Sequence, residues 1–163
     1  MCGIIAAASN RNVGELLVEG LHKMEYRGYD SAGLALHQEK NIAHLRTLGK
    51  VSLLEEKLKL ANPSSTLGIA HTRWATHGEP SEKNAHPHKS NERIYIVHNG
   101  IIENHLELKS FLANQGYTFI SETDSEVIGH LLDYFLSQGS NILDAIYLTK
   151  EKLDGAYAIA ILD

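Results

Sequence analysis

Cys2 is the only cysteine in the 163-residue chain, and it stands one residue from the start. After removal of Met1, this residue would carry both a thiol and a free α-amine. The ordinary pKa values of these groups are close, about 8.5 and about 7.7 to 8.0. The amine can therefore accept the thiol proton and activate the sulfur as a nucleophile. From its position alone, Cys2 is equally well interpreted as a small, inert hydrophobic residue.

Asn99 and Gly100 follow an apolar segment that reads as a strand. An Asn-Gly pair most simply predicts a turn. Alternatively, the Asn99 side-chain amide and the Gly100 backbone N–H can converge as two donors on one point, which glycine lets a ligand approach closely. Two such donors stabilise the oxyanion of an acyl-transfer reaction. Beside an N-terminal cysteine, the second interpretation gains weight.

Two charged residues could recognise the ends of an amino acid. Arg73 carries a planar guanidinium suited to a carboxylate, although a lone arginine in a loop is more often a surface residue. Asp124 could bind an ammonium group, or it could simply complement a helix dipole in the first turn. Together the two describe an amino-acid pocket, and Arg27, in a glycine-flanked turn, is a third candidate.

Histidine is unusually frequent, with ten residues. Five of them could supply three ligands for zinc: His71, His77, His86, His88 and His98. Their spacings are loose and no His-Glu-x-x-His pattern is present, so we favour histidines that hydrogen-bond within a polar loop. We expect no metal and no cofactor, and there is no glycine-rich phosphate loop or Gly-x-Ser-x-Gly elbow.

The composition, 43% hydrophobic and 21% charged with a net charge of −5, is typical of one folded globular domain. No basic run predicts a nucleic-acid partner. No apolar run approaches a membrane span, and no secretory signal is visible. A single cysteine excludes an internal disulfide. We expect a cytoplasmic protein.

The pattern of apolar residues predicts alternating strands and helices. Strands are predicted at residues 3–9, from 34, 42–47, 67–70, 94–97 and 157–162. Helices are predicted at residues 13–24, 51–60, 104–115 and 142–153, and another follows Thr123–Glu126, which reads as a capping box. Residues 71–92 show no period and are predicted to form a functional loop. Because the chain stops inside a strand that reads as buried, we expect a fragment of something longer.

Six motifs share one order with a known family. They are Cys2-Gly3-Ile4, Tyr26-Arg27-Gly28-Tyr29-Asp30-Ser31-Ala32-Gly33, His71-Thr72-Arg73-Trp74-Ala75-Thr76-His77-Gly78, Asn84-Ala85-His86-Pro87-His88, Val97-His98-Asn99-Gly100-Ile101-Ile102-Glu103-Asn104 and Ser121-Glu122-Thr123-Asp124. From Cys2 to the end, the chain resembles the glutaminase domain of the glutamine–fructose-6-phosphate aminotransferase family, within the class II glutamine amidotransferases. Other class II amidotransferases are less similar to this chain in the two motifs that contain Arg27 and Arg73.

The resemblance implies an α+β fold, a four-layer αββα sandwich of the N-terminal nucleophile hydrolase type, here C-terminally truncated. It implies that Cys2 attacks the side-chain amide of glutamine and that Asn99 and Gly100 form the oxyanion hole. Arg73 is expected to bind the α-carboxylate of glutamine, and Asp124 its α-amine. Around the pocket, the resemblance places a closing loop with Trp74, Thr76 and His77, and a conformationally important Arg27.

The resemblance also implies what lies outside this chain. Residues 1–163 are expected to form a glutaminase domain that is incomplete at its C-terminus. The expected partners are L-glutamine and a C-terminal isomerase domain that receives the ammonia, makes glucosamine 6-phosphate from fructose 6-phosphate and commonly forms a homodimer. A non-catalytic interaction fragment with the same fold, and the histidine metal-binding module, remain the alternatives.

Overall fold

The computed structural model describes residues 2–28, 30–74 and 78–163. Five α-helices and seven strands lie within these ranges. The helices are α1 (Gly14–Met24), α2 (Val51–Ala61), α3 (His105–Asn114), α4 (Glu126–Ser137) and α5 (Ile142–Lys152). The strands are β1 (Gly3–Ala8), β2 (Ser31–His37), β3 (Ile42–Leu48), β4 (Leu67–Arg73), β5 (His88–Ser90), β6 (Ile94–Ile102) and β7 (Gly155–Leu162).

The first sheet contains four of the described strands in the order β1-β4-β2-β3, and each neighbouring pair is antiparallel. Strands β2 and β3 form a hairpin, with Ser31 opposite Leu48 and His37 opposite Ile42. Strand β1 pairs with β4 so that Gly3 lies opposite Thr72. This register places Cys2 beside the C-terminal end of β4.

The second sheet has the order β5-β6-β7 and is also antiparallel. Its long central strand, β6, pairs with β7 from Tyr95 opposite Leu162 to Ile102 opposite Gly155. The polar end of β6 therefore belongs to a continuous ladder, which holds the residues at that end in fixed positions.

Three apolar clusters show that the elements form four layers. The first joins α1 and α2 to one face of the first sheet, through residues such as Leu17 and Leu54. The second joins α3, α4 and α5 to the outer face of the second sheet. The third lies between the two sheets and includes Ile69 of β4 and Val97 of β6. The predicted αββα sandwich is the observed architecture.

The main errors of the sequence-based prediction concern the lengths of β4 and β6. Strand β4 continues to Arg73, and β5 begins at His88, so residues 71–92 are not a single loop. Strand β6 continues to Ile102, which makes the turn interpretation of Asn99-Gly100 wrong. The polar side chains of both strand ends hid their periodicity, because they face the interior of a polar site.

The predicted capping box at residues 123–126 is also wrong in detail. Helix α4 begins at Glu126, and no side chain caps it at Ser125. The Glu126 carboxylate instead accepts hydrogen bonds from the backbone N–H groups of Ile120 and Ser121 and from the Ser121 hydroxyl. Asp124 consequently precedes the helix and does not lie in its first turn.

No helix within the described ranges is long and apolar enough to cross a membrane.

Candidate active site

Cys2 lies at the start of β1, against the end of β4. The Trp74 backbone N–H donates to Cys2 Sγ over 3.2 Å, and the Cys2 thiol donates to the Trp74 carbonyl oxygen over 3.6 Å. The following residue is tied to the same strand, because the Gly3 N–H donates to Thr72 Oγ1. The sulfur is half-buried and held by backbone groups, and an N–H donor at that distance stabilises negative charge on it.

Asn99 reaches Cys2 from the second sheet. Its Nδ2 donates to the Cys2 carbonyl oxygen over 3.2 Å, so the amide N–H group lies next to the nucleophile's own residue. Gly100 follows with a φ of 129°, and a Cβ at this position would lie 2.1 Å from the carbonyl oxygen of Ala156 in β7. Glycine is therefore required at residue 100, both for the backbone conformation and for the close packing of β6 on β7.

Arg73 is the last residue of β4, and its side chain is buried. Its Nη2 donates to the Gly78 carbonyl oxygen over 3.0 Å, and its Nη1 donates to that of Glu79 over 3.4 Å. The same guanidinium lies 3.9 Å from the Asp30 carboxylate. A buried guanidinium in this position is suited to a carboxylate of a ligand in the neighbouring cavity.

Asp124 is buried between β6 and the start of α4. Its Oδ2 accepts from the Ile102 N–H over 2.8 Å, and its Oδ1 accepts from the Ser125 hydroxyl over 3.4 Å. Ser125 is also bonded to His98 Nδ1 over 2.8 Å. These bonds fix the Asp124 carboxylate at the end of β6, on the same side as Gly100.

Five of the predicted site residues line one small cavity of about 30 Å³. Its described lining is Cys2, Arg73, Trp74, His86, His98, Gly100, Thr123, Asp124 and Ser125. This volume is about that of one water molecule, so glutamine would need the surrounding side chains to move.

Four of the predicted site residues are not in the described lining of this cavity. One is Asn99, whose side-chain amide lies against the Cys2 carbonyl oxygen. Arg27 lies on an exposed turn, with its guanidinium 5.9 Å from the centre of the Tyr26 ring, outside the described lining. Thr76 and His77 lie outside the described residues, as does Met1. The roles given to these residues, and to those at the cavity, stay predictions.

Four buried histidines surround this cavity or lie directly behind it. Burial lowers the pKa of His71 to about 4 and that of His88 to about 3, and it lowers the pKa of His86 and of His98. The rings of His71 and His86 are 4.2 Å apart, and those of His86 and His88 are 4.5 Å apart. At neutral pH the four imidazoles are uncharged, so the charged side chains in the described lining are those of Arg73 and Asp124.

The histidines that the structure describes do not form a recognisable metal site. No group of three or more His, Cys, Asp or Glu side chains in the described ranges is arranged to hold a metal ion. The buried rings instead contact one another in tilted and edge-to-face arrangements, and His88 Nε2 bonds the Thr123 hydroxyl over 3.0 Å. Nothing in the described part of the chain favours the metal-binding alternative.

Two buried polar residues that support the site were not singled out from the sequence. Asn84 donates to the Glu79 carbonyl oxygen and accepts from the Glu122 N–H, so it ties the segment bound by Arg73 to the segment before Asp124. Glu126 organises residues 120–121 in the same way. In the sequence, Asn84 and Glu126 are marked only by the short polar motifs around them. Such motifs do not predict which residues the two side chains bond.

The fold and the site define a class of protein. Residues 71–163 match the family model described as a glutamine amidotransferase domain, so the chain belongs to that family. The structure resembles that of glutamine phosphoribosylpyrophosphate amidotransferase from B. subtilis with ADP and GMP, with a TM-score of 0.84 at 25% identity over 99% of this chain and 35% of that one. A structure of the allosteric regulatory enzyme of purine biosynthesis has a TM-score of 0.86 at 26% identity, again over 99% and 35%. The fold is the N-terminal nucleophile type predicted from the sequence.

Curated relatives are more similar in sequence. Glutamine–fructose-6-phosphate aminotransferase (isomerizing) from Vibrio cholerae serotype O1 is 52% identical over 100% of this chain, and that from Salmonella typhi is 55% identical over 100%. The chain spans 27% of the length of each of these relatives.

Proposed function

We propose that this chain hydrolyses the side-chain amide of glutamine to glutamate and ammonia through a thioester on Cys2. The observation that carries the proposal is the geometry at the ends of β1, β4 and β6. There the nucleophile's residue bonds the Asn99 amide, and Cys2 shares a cavity with Arg73 and Asp124. The family assignment and the similarity to glutamine–fructose-6-phosphate aminotransferases support the same reaction.

The reaction begins with proton transfer from the Cys2 thiol to the free α-amine of the same residue, directly or through a water. The thiolate attacks the side-chain carbonyl carbon of glutamine, and the Trp74 N–H stabilises the charge on sulfur before attack. The resulting oxyanion accepts hydrogen bonds from Asn99 Nδ2 and the Gly100 N–H. The C–N bond then breaks, the α-amine returns its proton to the leaving ammonia, and water hydrolyses the thioester.

Substrate orientation follows from the two buried charges. Arg73 pairs with the α-carboxylate of glutamine, and Asp124 accepts from its α-ammonium group. The four neutral histidines add no charge of their own beside them, and the burial of the Arg73 and Asp124 side chains strengthens both interactions. In this proposal Trp74, Thr76 and His77 belong to a loop that closes over the pocket. Arg27 influences the conformation of the site.

The activity of the whole protein is part of the proposal. In this proposal residues 1–163 are its glutaminase domain without the C-terminal strands, and a C-terminal isomerase domain accounts for the length by which the relatives exceed this chain. That domain takes the ammonia and converts fructose 6-phosphate to glucosamine 6-phosphate, in a cytoplasmic homodimer. This places the protein in amino sugar biosynthesis.

The test uses the full-length protein and two ways of disabling Cys2. Cys2→Ala is expected to abolish glutamine hydrolysis, because no thiolate can form. An uncleaved N-terminal tag is expected to do the same, because it removes the free amine, and cleavage of the tag restores turnover. The control is synthesis of glucosamine 6-phosphate from added ammonia, which both inactive forms should retain. Undiminished glutamine turnover in Cys2→Ala would rule out the proposed mechanism.

A further inference from the structure

The His71 ring joins the two sheets at the oxyanion site. His71 Nε2 lies 2.9 Å from Asn99 Oδ1 and 3.2 Å from the carbonyl oxygen of His98. Both partners are oxygen atoms that only accept hydrogen bonds. Nε2 must therefore carry the proton, and the ring donates to both oxygens from the β4 side of the sandwich.

This assignment fixes the orientation of the Asn99 amide. The oxygen and nitrogen of an asparagine side chain are distinguished by their partners, since the two orientations have nearly the same shape. His71 donates to one side of the amide, which must be Oδ1, and the other side faces the Cys2 carbonyl oxygen, which requires a donor. Rotation of the amide by a half turn would place two donors together at His71 and two acceptors together at Cys2.

The surroundings of His71 hold its ring in one position and one protonation state. It is 1% exposed, and burial keeps it neutral at physiological pH by lowering its pKa to about 4. Its Nδ1 is buried and has no hydrogen-bond partner in the described part of the chain. In the registers of the first sheet, His71 lies between Ile4 of β1 and Gly33 of β2, so the strand cannot shift without breaking two ladders.

We propose that His71 is a positioning residue that orients the Asn99 amide so that Nδ2, and not Oδ1, faces the developing oxyanion. The inference rests on the proposed function, because it assigns a role within that reaction. His71 does not touch the substrate and acts only through Asn99.

The test compares His71→Leu with His71→Gln in the full-length protein. Leucine cannot donate, whereas the glutamine amide can place a donor near the position of Nε2. We expect His71→Leu to lower kcat for glutamine hydrolysis about 10- to 100-fold, the effect typical of a misplaced catalytic group, with KM within about twofold because Arg73 and Asp124 are unaffected. His71→Gln should recover most of kcat. The control for general destabilisation is Leu54→Ala, because Leu54 is fully buried in the first apolar cluster and lies outside the cavity lining.

A double-mutant cycle separates positioning from general damage. In an Asn99→Ala background, His71→Leu is expected to change kcat by less than about twofold, because the residue through which it acts is gone. Additive losses, an unchanged kcat in His71→Leu, or equal losses of kcat in His71→Leu and Leu54→Ala would each overturn the inference. These results leave the proposed function intact as long as Cys2→Ala is inactive in the same assay. An active Cys2→Ala protein would overturn both.

Discussion

Asn99 and Cys2 are joined by a hydrogen bond from the Asn99 amide to the Cys2 carbonyl oxygen, over 3.2 Å. The bond connects β6 of the second sheet to the residue that precedes β1 of the first. It places an N–H donor beside Cys2. In the proposed mechanism this amide exchanges the carbonyl oxygen for the oxyanion.

Replacement of Asn99 with aspartate tests this donor. Asn99→Asp keeps an oxygen that accepts from His71 but replaces the donor with a second oxygen. Loss of one oxyanion donor typically costs about 100- to 1000-fold in rate, and the added negative charge opposes both thiolate and oxyanion. We expect kcat for glutamine hydrolysis to fall at least about 100-fold, measured at saturating glutamine. A kcat within threefold of the wild type, in a protein with an unchanged melting temperature, would contradict the assignment.

Asp124→Asn tests recognition of the α-amine. The asparagine oxygen can still accept from the Ile102 N–H, so the backbone contact is retained while the charge is lost. A hydrogen bond to a charged group contributes about 1.5 to 3 kcal/mol, so we expect KM for glutamine to rise about 10- to 100-fold. The matched substrate is 4-carbamoylbutanoate, which is glutamine without its α-amine.

Wild type and Asp124→Asn should hydrolyse 4-carbamoylbutanoate with similar kcat/KM. If the substitution impaired both substrates equally, Asp124 would act on the structure of the site and not on the amine.

The amphipathic elements could be predicted from the sequence because one face of each is apolar. Leu17 and Leu21 of α1 are spaced for one face of a helix, and both are fully buried. The same reasoning failed at the ends of β4 and β6. His71 and Arg73 alternate with Thr72 along β4, which is a strand period, but all three are polar and buried. Hydrophobicity cannot reveal a strand whose buried face is a polar site.

The partners of the site residues could not be predicted either. The sequence offers Asn99 as a donor, but its partner His71 lies 28 positions earlier and in the other sheet. Similarly, the sequence suggests that Glu126 completes a capping box, whereas its carboxylate bonds the segment at Ile120 and Ser121. Short-range patterns indicate local structure, and the packing of the two sheets decides these longer-range bonds.

Gly33→Ala tests whether the polar segment before β5 packs directly on β2. A Cβ at Gly33 would lie 2.1 Å from the carbonyl oxygen of His86, so the backbone at His86 must move. Overpacking of this kind costs about 1 to 3 kcal/mol, and displacement of His86 alters the cavity beside Cys2. We expect a lower melting temperature together with reduced glutaminase activity.

Gly129→Ala is the matched control. Gly129 lies within α4, and a Cβ at this position would be 3.7 Å from its nearest neighbour, the Ile96 side chain, which is an ordinary van der Waals distance. Alanine in a helix is favoured over glycine by up to about 1 kcal/mol, so this variant should be at least as stable as the wild type and fully active. Equal stability of Gly33→Ala and Gly129→Ala would show that the segment at His86 does not pack directly on β2.

The buried histidines predict a loss of stability in mild acid. Burial lowers the pKa of His71 to about 4 and of His88 to about 3, whereas in the unfolded chain both titrate near 6.5. Below pH 6.5 the unfolded chain therefore binds protons that the folded protein does not. The stabilisation is fully present above pH 6.5 and decreases as pH falls toward these values, by about 1.4 kcal/mol per pH unit for each histidine.

Glu126 acts in a lower pH window. Burial alone would raise its pKa, but the His130 ring 3.6 Å away and hydrogen bonds from Ile120 and Ser121 lower it to about 2. Its contribution is present above the ordinary pKa of the carboxyl group, about 4.3, and is lost as pH falls toward 2. The decrease between pH 6.5 and 5 therefore comes from the histidines. It is measured by hydrogen exchange of peptides from β4 and β6 in the full-length protein.

Two variants separate proton uptake from general destabilisation. Leu54→Ala removes a fully buried apolar side chain of the first cluster, so it should lower stability at every pH and keep the wild-type slope. His88→Leu removes one titrating ring and should flatten the slope by about 1.4 kcal/mol per pH unit. If the wild-type free energy of unfolding measured by hydrogen exchange stayed constant from pH 6.5 to 5, the fold would not be keeping the imidazoles behind Cys2 neutral.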